Sequence, residues 1–179
     1  MDILLHVCCG NCAIFPVKML RQQHHRVTGY FFNHNIHPYL EFKQRLDTVK
    51  EYAGLVDLPM IYSEEYRLED FLANVAQQPD QRCHYCYQSR MTATARMAAE
   101  QGYEGFSTSL LYSRYQQHEA IRQFGEELAA DLGLTFVYDD FRSGWNEGIN
   151  VSKAMGLYRQ QYCGCIYSEK DRYYRPAAS

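Results

Sequence analysis

The chain has 179 residues, 46% of them hydrophobic and 22% charged, with a net charge of −3. That balance is globular and sized for one domain spanning 1–179, and it excludes a disordered chain or a generically basic nucleic-acid coat. No apolar run is long enough to span a bilayer, and Asp2 beside a short apolar start is unlike a signal peptide, so a cytoplasmic protein is expected.

Strands and helices alternate in the pattern. Residues 3–7 form a continuous apolar run that suits a buried parallel strand. A helix follows over 13–23, with Asn11 as its expected N-cap and Pro16 in its first turn. A second strand covers 27–32, a helix covers 39–53 and stops at Gly54, and a brief strand covers 60–62. A short helix over 68–75 leads to a polar turn at Pro79. The stretch 82–101 is a long helix ending at Gly102, and 105–109 is a strand. An amphipathic helix over 117–132 carries Ile121, Phe124, Leu128 and Leu132 at helical spacing and ends at Gly133. A fifth strand over 135–138, a segment rich in glycine and aromatics, and a short helix over 151–157 complete the pattern. Such alternation predicts an α/β fold, a parallel sheet layered between helices, with its site at the carboxyl ends of the strands.

Seven cysteines are many for a compartment that disfavours disulfides, and the odd number forbids complete pairing. They fall in three tight groups: Cys8, Cys9 and Cys12; Cys83 and Cys86; Cys163 and Cys165. Buried cysteines acting as small hydrophobes would scatter over apolar positions. Grouping beside polar and glycine residues points instead to metal or cluster ligation, and C-x-x-C lets two thiolates reach one centre. The segment Cys8-Cys9-Gly10-Asn11-Cys12 stands where nucleotide-binding α/β proteins carry a glycine-rich phosphate loop. A helix start there favours the ligating thiolate. A phosphate-loop position has thus become a thiolate position.

Other groups gather at the same sheet edge. Asn33, Asn35 and His37 follow the second strand and are candidates to orient a substrate. Tyr112, Arg114 and Tyr115 follow the fourth strand, an interleaving that suits stacking on bases. The stretch 142–179 carries +3 against −6 for the rest, so Lys153 and Arg159 are candidate phosphate contacts. His24 and His25 read as solvated, and His6 as a hydrogen-bonded core residue.

The motifs, in this order, resemble those of the QueH-type epoxyqueuosine reductases. They are Leu4-Leu5-His6-Val7-Cys8-Cys9 with Cys12, Asn33-His34-Asn35-Ile36-His37-Pro38, Arg82-Cys83-His84-Tyr85-Cys86, and Ser107-Thr108-Ser109-Leu110-Leu111. The most specific is the segment from Gly156-Leu157-Tyr158-Arg159-Gln160 to Cys163-Gly164-Cys165-Ile166-Tyr167-Ser168. The resemblance implies a nucleotide α-hydrolase (HUP-like) domain that reduces epoxyqueuosine to queuosine at the wobble position of the tRNA anticodon stem-loop, using an external electron donor. It further implies a [4Fe-4S] cluster and an adjacent mononuclear iron, with zinc as a substitute. All seven cysteines fall on the family's metal-binding motifs. The family carries Cys or Asp at the position of Cys12, which makes Cys12 the expected ligand of the reacting metal. Removing an epoxide oxygen as water takes two electrons and two protons, and seven thiolates exceed the four that one cluster needs. Two other readings compete. An ATP-pyrophosphatase-like tRNA sulfur transferase requires a glycine- and serine-rich phosphate loop, which Cys8–Cys12 does not supply. A non-catalytic zinc-binding RNA module would be colourless and free of sulfide.

Overall fold

A computed structural model describes residues 1–176; residues 177–179, the end of the expected domain and of its basic stretch, lie outside the described residues. The strands are β1 (Asp2–His6), β2 (Arg26–Phe31), β3 (Met60–Tyr62), β4 (Gly105–Thr108) and β5 (Thr135–Phe136). They form one parallel sheet in the order β3-β2-β1-β4-β5. β1 is central, with Leu4 level with Thr28 on one side and Phe106 on the other. Burial on both faces explains why its sequence is a continuous apolar run with no alternation.

The helices are α1 (Gly10–Gln22), α2 (Tyr39–Leu55), α3 (Leu68–Val75), α4 (Arg82–Glu100), α5 (His118–Leu132), α6 (Trp145–Ala154) and α7 (Ile166–Tyr173). α1 packs with α2 and α6, and α4 packs with α5 across the sheet. The chain reverses direction across the sheet between β1 and β4, so a crevice opens at their carboxyl ends. No helix among the described residues is long and apolar enough to cross a membrane.

Several boundaries differ from expectation. α1 begins at Gly10, and its cap is Cys9, not Asn11: Cys9 is extended and its Sγ accepts from the Cys12 amide at 3.3 Å. Asn11 is released for tertiary work. Its Nδ2 donates to the Tyr158 carbonyl at 2.8 Å and its Oδ1 accepts from Ser152 at 2.6 Å. The earlier start also puts Pro16 in the helix interior, where it withholds the amide that would bond the Cys12 carbonyl. The fifth strand shrinks to Thr135–Phe136, and the helix expected over 151–157 runs instead over Trp145–Ala154. Its two glycines are packing devices: a Cβ at Gly144 would meet the Phe15 ring at 2.1 Å, and one at Gly148 the Tyr112 hydroxyl at 2.3 Å. α7 is an additional helix without a buried residue.

Candidate metal centre and substrate cleft

The carboxyl end of β1 delivers the first cysteines. His6 is fully buried and aligns this end. Its Nε2 faces the Phe32 carbonyl and Asn33 Oδ1, and its Nδ1 faces Thr108 Oγ1 at 3.0 Å. Because Nε2 faces two oxygen acceptors it carries the ring proton, and Nδ1 accepts from the Thr108 hydroxyl. Burial lowers the His6 pKa to about 4, so the ring is neutral at pH 7. Asn33 Nδ2 in turn donates to the Val7 carbonyl at 2.9 Å. The ends of β1, β2 and β4 are thereby fixed immediately before Cys8.

The sulfurs of Cys8, Cys9 and Cys12 all lie within 4.8 Å of one another. Hydrogen bonds from Cys12 and Cys9 hold the Cys8 thiol well below its ordinary pKa, and Ser109 Oγ adds a donor at 3.3 Å. The same contacts push Cys12 well up, and burial pushes Cys9 up. Three thiols packed this closely and largely buried cannot all ionise without a compensating cation. A metal cation is what lets them ionise together, so this donor set fits a thiophilic metal. Gln160 Nε2 steadies it, donating to Cys9 Sγ at 3.0 Å and Cys12 Sγ at 3.3 Å.

The remaining four cysteines are near enough to influence one another's ionisation, but among the described residues only the first trio has its sulfurs drawn within 4.8 Å of one another. Cys86 and Cys165 share a small apolar cluster with Phe71 and Val75. Burial pushes the Cys86 thiol up to about 12, with Arg90 opposing and Cys163, Cys165 and Cys83 adding to the rise. Burial also raises Cys83, and Cys163 and Cys165 add to that rise. Gly164 makes the turn between Cys163 and Cys165 at φ +154°, and a Cβ there would meet Ile36, Arg45 and Asn35 within 3.4 Å.

Two buried arginines bracket the sulfurs. Arg45, 2% exposed, pairs with Glu41 at 2.7 Å and donates to the carbonyls of Cys163 at 2.7 Å and Tyr162 at 2.9 Å. Arg90, equally buried, donates through Nε to the Cys86 carbonyl at 3.0 Å. It has no carboxylate within 4.0 Å among the described residues. The groups that raise its pKa against burial are Cys86, Cys163 and Cys8, each in its ionised form.

A cleft of about 670 Å³ opens over this arrangement, with Cys8, Cys12 and Cys163 on its floor and Arg45 and Arg90 beside them. The size suits one small ligand or nucleoside. Tyr112, Tyr115, Trp145 and Arg159 form its walls.

The family model described as "Epoxyqueuosine reductase QueH" matches residues 3–171. The chain belongs to the QueH family. The epoxyqueuosine reductase QueH of Dehalococcoides mccartyi is 37% identical over 174 residues, covering 97% of this chain and 96% of that protein. That of Thermotoga maritima is 32% identical over 180 residues, covering 95% and 91%. A solved structure described as a predicted subunit of tRNA methyltransferase from Methanocaldococcus jannaschii aligns with a TM-score of 0.54 at 12% identity, over 86% of this chain and 74% of that one. That likeness concerns the α/β fold alone.

In this QueH-family chain the sequence candidates separate by position. Tyr112 and Arg159 line the cleft. Arg114 stands exposed at its edge, 5.4 Å above the Trp145 ring. Lys153 is exposed one helical turn beyond the cleft-lining Ile149. Asn33, Asn35 and His37 are buried and do not line the cleft. His37 donates to the His34 carbonyl and accepts from the Ile166 amide at 3.2 Å, which ties the 33–38 loop to the segment after Cys165. Sequence reading assigned no role to Arg45, Arg90, Trp145, Gln160 or Ser109. Gln160 and Ser109 stood inside the motifs that carried the resemblance. Arg45 and Arg90 had a different signal: each falls on the apolar stripe of its helix, between Phe42 and Val49 and between Cys86 and Thr94.

Proposed function

We propose that the chain reduces epoxyqueuosine to queuosine at the tRNA wobble position, with Cys83, Cys86, Cys163 and Cys165 holding a [4Fe-4S] cluster and Cys8, Cys9 and Cys12 an adjacent iron. The observation that carries this is the tight sulfur trio of Cys8, Cys9 and Cys12 at a cleft that Cys163, from the far end of the chain, also lines. The epoxide takes up two electrons and two protons, loses its oxygen as water and becomes the cyclopentene. Metals held there would supply sequential single electrons from an external donor and electrophilic assistance at the epoxide oxygen.

The chain's own residues prepare the site. Arg45 and Arg90 offset the thiolate charge in a buried setting. Ser109 and Gln160 donate to the sulfurs of the trio and fix their directions. Asn33, Asn35 and His37 act from behind, by shaping the loop against which the Cys163–Cys165 turn rests. Tyr112 and Arg159 face the modified nucleoside, and Arg114 and Lys153 meet the RNA backbone outside. On this reading one domain does the work, in the cytoplasm, where tRNA is found.

Anaerobic purification followed by iron, sulfide and zinc analysis tests the metal assignment. Incubation with epoxyqueuosine-containing tRNA and a low-potential reductant, read by nucleoside mass spectrometry, tests the reaction. A brown protein that converts epoxyqueuosine is expected. A colourless zinc protein that retains native fold and leaves the epoxide intact overturns the proposal.

A further inference from the structure

The cleft has an aromatic lip whose construction exceeds what holding one nucleoside requires. Trp145, the single tryptophan of the chain, stacks one face on Tyr112 with ring centroids 5.3 Å apart at 26°. The Tyr112 hydroxyl donates to the Trp145 carbonyl at 2.9 Å and locks the pair. Gly148 leaves room for that hydroxyl, so the indole is held rigidly from beneath. Two exposed side chains also border the indole. The Arg114 guanidinium lies 5.4 Å over the ring, and Tyr115, 85% exposed, stands edge-on at 5.9 Å and 77°.

The charge around this lip is free. Arg114, Arg159 and Arg172 have no carboxylate within 4.0 Å among the described residues, and Arg159 and Arg172 line the same cleft. A rigid aromatic plane beside unpaired arginines recognises an unstacked base with its phosphates. A duplex end, whose bases are already stacked, offers the charge but not the free face.

We propose that Trp145 is a stacking platform for an unpaired base flanking the modified nucleoside, and that Arg114 leaves the indole to meet the adjoining phosphate as that base arrives. The inference rests on the reading that the substrate is a tRNA anticodon loop. It adds that recognition extends to a neighbouring nucleotide, through a surface formed by α6 and the segment after β4. Trp145 is a positioning residue and takes no part in the bond changes.

The sole tryptophan makes the test direct. Under anaerobic conditions the metal-loaded protein is titrated with an anticodon stem-loop and, separately, with a blunt RNA duplex of equal length, and the indole emission is followed. The stem-loop is expected to quench or shift the emission at saturation, and the duplex to leave it unchanged. By labelled-RNA binding, W145A should weaken the stem-loop at least about fivefold and the duplex less than about twofold, since a stacked base is worth more than that factor and phosphate contacts persist. W145F should bind like the wild type. Y115A, at an exposed position with no folding role, should weaken the stem-loop by a smaller factor. Unchanged emission on saturation with stem-loop overturns the inference. So does equal loss of loop and duplex binding in W145A. Failure of the wild type to bind either RNA overturns the anticodon-loop reading itself, whereas loop binding indifferent to both variants overturns only the platform.

Discussion

Replacing Arg45 with Met isolates the contribution of a buried cation to the cysteine turn. Arg45 is 2% exposed and makes three directed contacts: Glu41 at 2.7 Å, the Cys163 carbonyl at 2.7 Å and the Tyr162 carbonyl at 2.9 Å. Methionine fills similar length but leaves the Glu41 carboxylate with only the Tyr158 hydroxyl, at 2.6 Å. Removing one partner of a buried pair costs roughly 3–5 kcal/mol, because the remaining charge stays desolvated. For a chain of this size that lowers the melting temperature by on the order of 10 °C. The two carbonyls lie in the segment bearing Cys163, so iron retention should fall with stability. Calorimetry on anaerobically prepared protein, with iron quantified on the same sample, measures both. The double variant Arg45→Met, Glu41→Gln should recover part of the lost stability, since it removes the stranded charge, but not the iron. A single variant that melts within about 2 °C of the wild type with full iron would refute the reasoning.

Three further outcomes follow from the same geometry. His34 is buried with an unpartnered Nε2, and its pKa is lowered to about 4, by burial first and then by Arg90. The unfolded chain therefore binds more protons below about pH 6.5, so this contribution is present above that pH and is lost as pH falls through 4. His6, lowered to the same value, adds a similar amount, so urea unfolding should show on the order of 3–4 kcal/mol less stability at pH 5 than at pH 7, of which His34→Gln should remove about half. At Gly164, alanine would have to adopt φ +154° while touching Ile36 and Arg45, so Gly164→Ala should cost on the order of 1–3 kcal/mol by chemical denaturation and release iron faster to a chelator. Cys12→Asp keeps an anionic ligand atom where Cys12→Ala has none, so after identical reconstitution the Asp variant should retain more iron and more epoxide reduction; equal, near-wild-type turnover of both would remove Cys12 from the mechanism.

The sheet and its working edge were legible because burial on both faces writes a plain signal: the apolar run before Cys8 has no polar alternation to confuse it, and helix ends at Gly102 and Gly133 are marked by residues that take positive φ readily. α7 carried no such signal. It has no fully buried residue and is held by partners remote in sequence, an Arg82–Asp171 ion pair at 2.7 Å and the Arg82 guanidinium 5.6 Å over the Tyr167 ring. The start of α6 was hidden for the opposite reason. Gly144 and Gly148 read as loop residues, yet close approach of Phe15 and Tyr112 requires them there, and packing overrides propensity.

The buried arginines show what composition conceals about the site. An arginine on a helix ordinarily belongs to the solvated face, but Arg45 and Arg90 occupy apolar stripes, where an uncompensated cation would be costly to desolvate. Arg45 has Glu41; Arg90 has no carboxylate near it, only sulfur. Thiolates gathered this closely repel one another, and burial further disfavours their ionisation. Each half of the arrangement is thus unfavourable by itself. On the proposed reading, the arginines supply part of the positive charge that the sulfurs need, and a bound metal would supply the rest. The stripe arginines and the cysteine groups are consequently one feature: two helices that carry cations inward because the sheet edge between them carries anions.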